Sequence, residues 1–126
     1  MAGARAAALE ALLRVDGEEG YSNIVLDSVL KKSSLSPKDS SLATAIFYGV
    51  LERRITLDYI IGLLSKRPAG KISPTVREIL RMGTYQLFFF KKIPPSAAVD
   101  ESVKLTKKSG EFRASGFVNA VYRLKG

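Results

Sequence analysis

SPTVREILRMGTYQLFFF, residues 73–90, is the longest strongly patterned apolar run in the chain. Val76, Ile79, Leu80, Gly83, Leu87 and Phe90 recur at three- and four-residue steps, the spacing that aligns one face of a helix. Ser73 is placed to cap that helix, Pro74 suits its first position, and Arg77-Glu78 open its first turn. Lys91-Lys92 suit the negative end of the helix dipole, and Pro94-Pro95 prevents continuation. Gly83 in mid-pattern costs about 1 kcal/mol against alanine. It predicts that another helix crosses there, with no side chain to hold it off. Met82, Tyr85, Phe88 and Phe89 make the segment apolar on more than one side. Such a helix is central and surrounded by others, so residues 73–90 are read as the core helix.

On the C-terminal side, Pro95 and Ser96 begin a helix with Ala97, Ala98, Val99, Val103 and Leu105 or Thr106 on its apolar side. Ser109-Gly110 ends it, and Arg113 to Leu124 reads as the last helix, with Phe117, Val118, Val121 and Leu124 packing inward. On the N-terminal side, SKRPAGKI (65–72) is a basic loop. Ser36-Pro37-Lys38-Asp39 is a strong helix start. That helix runs to about Arg54 over Leu42, Ala43, Ile46, Phe47, Val50 and Leu51, and Gly49 predicts a second close crossing. A short helix from Thr56 follows, with Arg54-Ile55-Thr56 either breaking or kinking the chain. Ser22 is read as the cap of a helix that buries Ile24 or Val25, Leu26, Val29 and Leu30. Residues 3–15 form the first helix over Ala7, Ala8, Leu12 and Val15, and Asp16-Gly17 and Glu19-Gly20 supply a turn. No segment alternates with period two. The expectation is one all-α domain over 1–126, about seven helices packed as antiparallel hairpins.

Composition narrows the function. Cysteine and histidine are absent, which removes disulfides, thiol nucleophiles, imidazole acid–base chemistry and the commonest metal ligands. An independent enzyme is therefore disfavoured. Twenty Lys/Arg against twelve Asp/Glu leave a net charge of +8, the balance of a polyanion-binding domain. No apolar run approaches twenty residues, so no membrane span is expected. The lack of cysteine is compatible with the cytoplasm.

Several blocks carry a resemblance. Tyr21-Ser22-Asn23, Tyr48-Gly49-Val50, Ile79-Leu80-Arg81-Met82-Gly83-Thr84-Tyr85-Gln86-Leu87 and Ile93-Pro94 occur in order, followed by Ala98-Val99-Asp100-Glu101-Ser102-Val103 and Phe117-Val118-Asn119-Ala120-Val121-Tyr122-Arg123. Together they resemble the N-terminal domain of the RsmB-type (Sun/Fmu) rRNA cytosine methyltransferases and, more loosely, the antitermination factor NusB. The resemblance implies a NusB-like all-helical bundle in two packed subdomains that binds RNA. It also implies that a Rossmann-like domain elsewhere in the parent protein transfers a methyl group from S-adenosylmethionine to carbon five of a cytosine in small-subunit rRNA. This chain has no glycine-rich strand-to-helix turn for that cofactor and no cysteine for the thiolate attack. It is expected to be catalytically silent, with no cofactor in this region. Its end at Leu124-Lys125-Gly126, without a polar tail, reads as a domain cut from a longer protein or an engineered fragment. Tyr122 stands where leucine is usual in the resembling block, and only Arg5 lies at the amino terminus where NusB relatives are richer in arginine. The second departure favours the methyltransferase module.

The candidate RNA-binding residues are Arg5, Arg77, Arg81, Lys104, Lys107, Lys108 and Arg113. Arg77, Arg81, Tyr85 and Phe88 run along one edge of the core helix. They form either a phosphate-binding and stacking strip or packed aromatics beside ion-paired arginines, with Arg81 reaching Glu101. Lys104, Lys107, Lys108 and Arg113 flank the turn at Ser109-Gly110, as a phosphate clamp or a solvated face. Arg53-Arg54 and Lys66-Arg67 with Lys71 are weaker candidates. Asn119 is expected to be a buried hydrogen-bonding residue. The rival reading is a protein-interaction module that presents an apolar patch, with Phe88, Phe89 or Phe112 in it, to a ribosomal protein or a sister domain.

Overall fold

The computed structural model describes residues 3–17, 21–67 and 69–123. Among them are seven α-helices and no strand: α1 (Ala4–Gly17), α2 (Ser22–Ser33), α3 (Pro37–Glu52), α4 (Arg54–Ser65), α5 (Pro74–Phe88), α6 (Pro95–Lys108) and α7 (Ser115–Arg123). Short 3-10 turns lie at Ala69–Lys71 and Phe112–Ala114. No described helix is long and apolar enough to cross a membrane. The turn expected at Glu19-Gly20, the inward Leu124 and the chain end fall outside the described residues.

Local chemistry sets the starts of α3 and α5. Ser36 Oγ accepts from the Asp39 amide at 3.1 Å with Pro37 next to it, and Ser73 Oγ faces the Val76 amide at 3.4 Å with Pro74 next to it. α2 departs from expectation, because Ser22 is its first residue and Tyr21, at the cap, makes no side-chain bond. Between α3 and α4 the chain breaks rather than kinks, at Arg53 (φ −117°, ψ 19°). α1 runs past Val15 through Gly17, and α5 stops at Phe88, so Phe90 continues the sequence pattern but not the helix. The last helix opens as a 3-10 turn and becomes α7 only at Ser115. Asn119 is half-buried rather than buried.

α5 is the core helix, and every residue from Glu78 to Leu87 is buried. It separates two apolar cores, which are the two subdomains. Ile79, Met82 and Tyr85 join the core built by α1, α2 and α3 around Leu12, Val29, Ile46 and Phe47. Val76, Leu80 and Leu87 join the core of α4, α6 and α7 around Ile61, Ala98, Val118 and Val121. Each such aliphatic side chain stabilises the fold by roughly 1.5–3 kcal/mol. Both glycine crossings are present. A Cβ on Gly83 would lie 2.2 Å from Tyr122 Oη and 2.7 Å from Ser102 Oγ, and one on Gly49 would lie 2.1 Å from Tyr85 Cζ. The Tyr122 hydroxyl donates to the Leu80 carbonyl at 2.8 Å, tying α7 to α5.

Candidate nucleic-acid interface

Two basic grooves lie near the C-terminal half of α6. The first, about 270 Å³, is formed by the start of α1, the start of α3 and the second half of α6. Arg5, Lys104 and Lys108 line it, with Asp39 and Glu101. Lys104 and Lys108 are one helical turn apart and project to the same side. Lys104 Nζ stands 3.8 Å from Glu101 Oε2, an exposed pair of little energetic weight. Arg5 is half-buried, and its Nε donates to Gln86 Oε1 of α5 at 2.9 Å. Burial lowers the Arg5 pKa while Glu101 and Asp39 oppose that shift, and the guanidinium stays charged.

The second groove, about 630 Å³, lies between the basic loop before α5 and the α6–α7 junction. Arg67, Lys71 and Arg113 line it with Phe112, Phe117 and one carboxylate, Glu111. Two backbone turns build it. Lys66 closes α4 in the left-handed region at φ 58°, and Ser65 Oγ pins Arg67 by bonding its amide and its carbonyl, each at 3.1 Å. Gly110, at φ 84°, reverses the chain after α6. The Arg67 guanidinium lies 4.6 Å from the Phe117 ring centroid, and Lys107 Nζ lies 5.8 Å from that of Phe112. Phe112 is 67% exposed, so its ring remains open to a stacking partner.

The candidate residues from sequence thus separate into three sets. Arg5, Lys104 and Lys108 converge on the first groove. Arg113 lines the second, and Lys107 lines neither but lies over the Phe112 ring at the second groove's edge. Arg77 and Arg81 stay with the core. Arg81 is 6% exposed, binds Asp58 through Nε and Nη2 at 2.7 Å each, and donates from Nη1 to Glu78 at 2.6 Å. The pairing of Arg81 with Glu101 is thereby corrected to Asp58 and Glu78. Arg77 Nε lies 4.0 Å from Glu78 Oε2. Tyr85 packs on Gly49 and stacks with Phe89 and Phe90, so the supposed stacking strip is interior packing. Arg53 covers Phe89 at 4.8 Å.

Arg67 and Lys71, the weaker candidates from sequence, line the second groove, and Phe112, expected in an apolar patch, lies among its charges. An aromatic between a Gly turn and Arg113 was the available signal. Phe89 and Phe112, two of the three phenylalanines expected at an apolar patch, are exposed, and sequence reasoning missed a further exposed apolar row on α4, Ile55 (88% exposed), Tyr59 (68%) and Leu63 (62%). Among the described residues no group of carboxylates is arranged to hold a metal ion.

Residues 2–124 match the NusB family. The chain is 39% identical over 116 residues to a probable ribosomal RNA small subunit methyltransferase B of Bacillus subtilis, covering 92% of this chain and 26% of that protein. It is 38% identical over 123 residues to the Synechocystis protein of the same description, covering 98% and 28%. The chain therefore spans about a quarter of the length of these relatives. It is 30% identical over 119 residues to the transcription antitermination protein NusB of Bacillus velezensis, covering 94% of this chain and 88% of that one. Among solved structures, NusB of T. maritima superposes with a TM-score of 0.84 at 27% identity, over 96% of this chain and 87% of that one. A NusB crystallised with NusE and double-stranded RNA superposes at 0.87 with 24% identity, over 96% and 91%, a likeness of fold.

Proposed function

The chain belongs to the NusB family, and from that premise we propose that it is the RNA-binding module of an S-adenosylmethionine-dependent small-subunit rRNA (cytosine-5) methyltransferase. Its task is to hold rRNA for a catalytic domain carried elsewhere in the parent polypeptide. The observation that carries the RNA reading is the convergence of six cations, Arg5, Lys104, Lys108, Arg67, Lys71 and Arg113, on two grooves, the second with phenylalanine rings beside its charges. Phosphate contacts position an RNA, and exposed rings stack on unpaired bases. The higher identity to the methyltransferases than to the antitermination protein supports the parent assignment. In the proposed parent the methyl donor belongs to the catalytic domain. A cytoplasmic location follows from the proposed rRNA substrate.

RNA affinity measured against salt tests the reading. Binding to a small-subunit rRNA fragment is expected to weaken steeply with salt, and each phosphate-contacting cation removed lowers the slope by about one. A flat response, or no binding at low salt, defeats it. For the parent protein, incubation with small-subunit rRNA and labelled methyl donor is expected to yield 5-methylcytosine.

The row Ile55, Tyr59, Leu63 favours a second reading, a protein-docking face for a ribosomal protein or the sister domain. It follows the four-residue ridge that helices interdigitate. If Tyr59→Ser leaves both solubility and partner binding untouched, that reading fails.

A further inference from the structure

Gln86 joins Arg5 across 81 positions of sequence. It is 2% exposed, and both ends of its amide are committed: Oε1 accepts from Arg5 Nε at 2.9 Å, and Nε2 donates to the Met82 carbonyl at 2.9 Å. The second bond fixes which end of the amide faces Arg5. The first uses Nε and leaves the two Nη groups as the fork that grips a phosphate. The groove around Arg5 holds three cations, Arg5, Lys104 and Lys108, against two carboxylates, Asp39 and Glu101. Its balance is therefore +1, and the side chain that holds Arg5 is neutral.

We propose that Gln86 is a positioning residue for RNA: it aims Arg5 into the groove without adding a third carboxylate to Asp39 and Glu101. This inference rests on the RNA-binding reading. A carboxylate at position 86 would keep the aim but cancel the charge and bring the groove to zero. An apolar side chain would keep the charge but lose the aim. The amide alone supplies both, and its burial means that it acts only through Arg5.

The test is anisotropy titration of a labelled RNA hairpin, over a range of KCl concentrations, with the wild type, Arg5→Ala, Gln86→Glu, Gln86→Met and Arg5→Ala/Gln86→Met. Gln86→Glu is expected to weaken binding severalfold and lower the salt slope by about one, as Arg5→Ala does. Gln86→Met added to Arg5→Ala should lose nothing beyond Arg5→Ala alone, because without the guanidinium position 86 has nothing to aim. An unchanged slope in Gln86→Glu beside a lowered slope in Arg5→Ala overturns the proposal. Should Gln86→Glu not fold, Gln86→Met removes the acceptor, and its affinity is expected to fall severalfold; an unchanged affinity overturns the proposal equally. Failure of the RNA reading shows earlier, as a flat salt response of the wild type, and takes this inference with it.

Discussion

Arg81 of α5 grips Asp58 of α4 through two parallel hydrogen bonds of 2.7 Å, Nε to Oδ1 and Nη2 to Oδ2. Glu78, one turn back on α5 and fully buried, takes the remaining Nη1. Breaking one partner of a buried pair costs more than the pair contributes, because the other charge stays inside. Asp58→Ala is therefore expected to lower unfolding stability by about 2–3 kcal/mol, eased from the full buried-pair cost by Glu78 and by the partial exposure of Asp58. Urea denaturation measures it. The RNA salt slope should not change, since this arginine faces the core.

Gly83 and Tyr122 are coupled through one small space. Alanine at 83 gains about 1 kcal/mol of helix propensity but meets Tyr122 Oη at 2.2 Å. Overpacking of that kind costs about 1–3 kcal/mol, or more where neighbours cannot move. Gly83→Ala should be destabilising overall, and Tyr122→Leu should relieve part of the loss. Strictly additive effects in a double-mutant cycle would contradict the crossing geometry.

Tyr122 also predicts an alkaline limit to stability. Burial holds its hydroxyl neutral far above the ordinary tyrosine range. In the unfolded chain the phenol ionises above about pH 10, so there the folded state binds one more proton than the unfolded state. By linkage, this group's contribution is intact below about pH 10 and declines by about 1.4 kcal/mol per pH unit above it. Tyr122→Phe should cost about 1 kcal/mol at neutral pH by losing the bond to the Leu80 carbonyl. It should also unfold with a shallower alkaline dependence than the wild type. Parallel alkaline slopes for the two chains would count against the buried hydroxyl.

Phe112 offers a ring to solvent, flanked by Lys107 and Arg113, and the fold does not need that ring. Phe112→Ala is expected to change stability by no more than about 0.5 kcal/mol. Binding of single-stranded RNA should weaken by about 1–3 kcal/mol if a base stacks there. Lys71→Ala and Arg113→Ala should each lower the salt slope by about one. Filter binding and thermal melts of the same preparations separate the two effects.

The helices were legible because their signals are local. Ser36-Pro37 and Ser73-Pro74 satisfy or avoid backbone donors within one turn, and the apolar spacing of residues 76–87 marks a helix wherever it packs. Gly49 and Gly83 revealed the two crossings because a missing side chain in mid-helix has a cost that close packing offsets. Tyr21 at the cap of α2 and the break at Arg53 were not legible, since neither rests on a residue with a strong local preference.

Charge placement was the least legible feature. Arg81 and Lys104 both lie on amphipathic helices, and nothing near them in sequence tells which way they turn. By itself, the sequence determined an all-helical chain around residues 73–90, an excess of positive charge and the absence of thiol and imidazole. Only the tertiary structure decided that Arg81 goes inward to Asp58, that Arg5 is held by Gln86, and that Lys107 parts from Lys104 and Lys108. The physical reason is range: caps and periodicity act within a turn or two, whereas the environment of a charge depends on the helix packed against it.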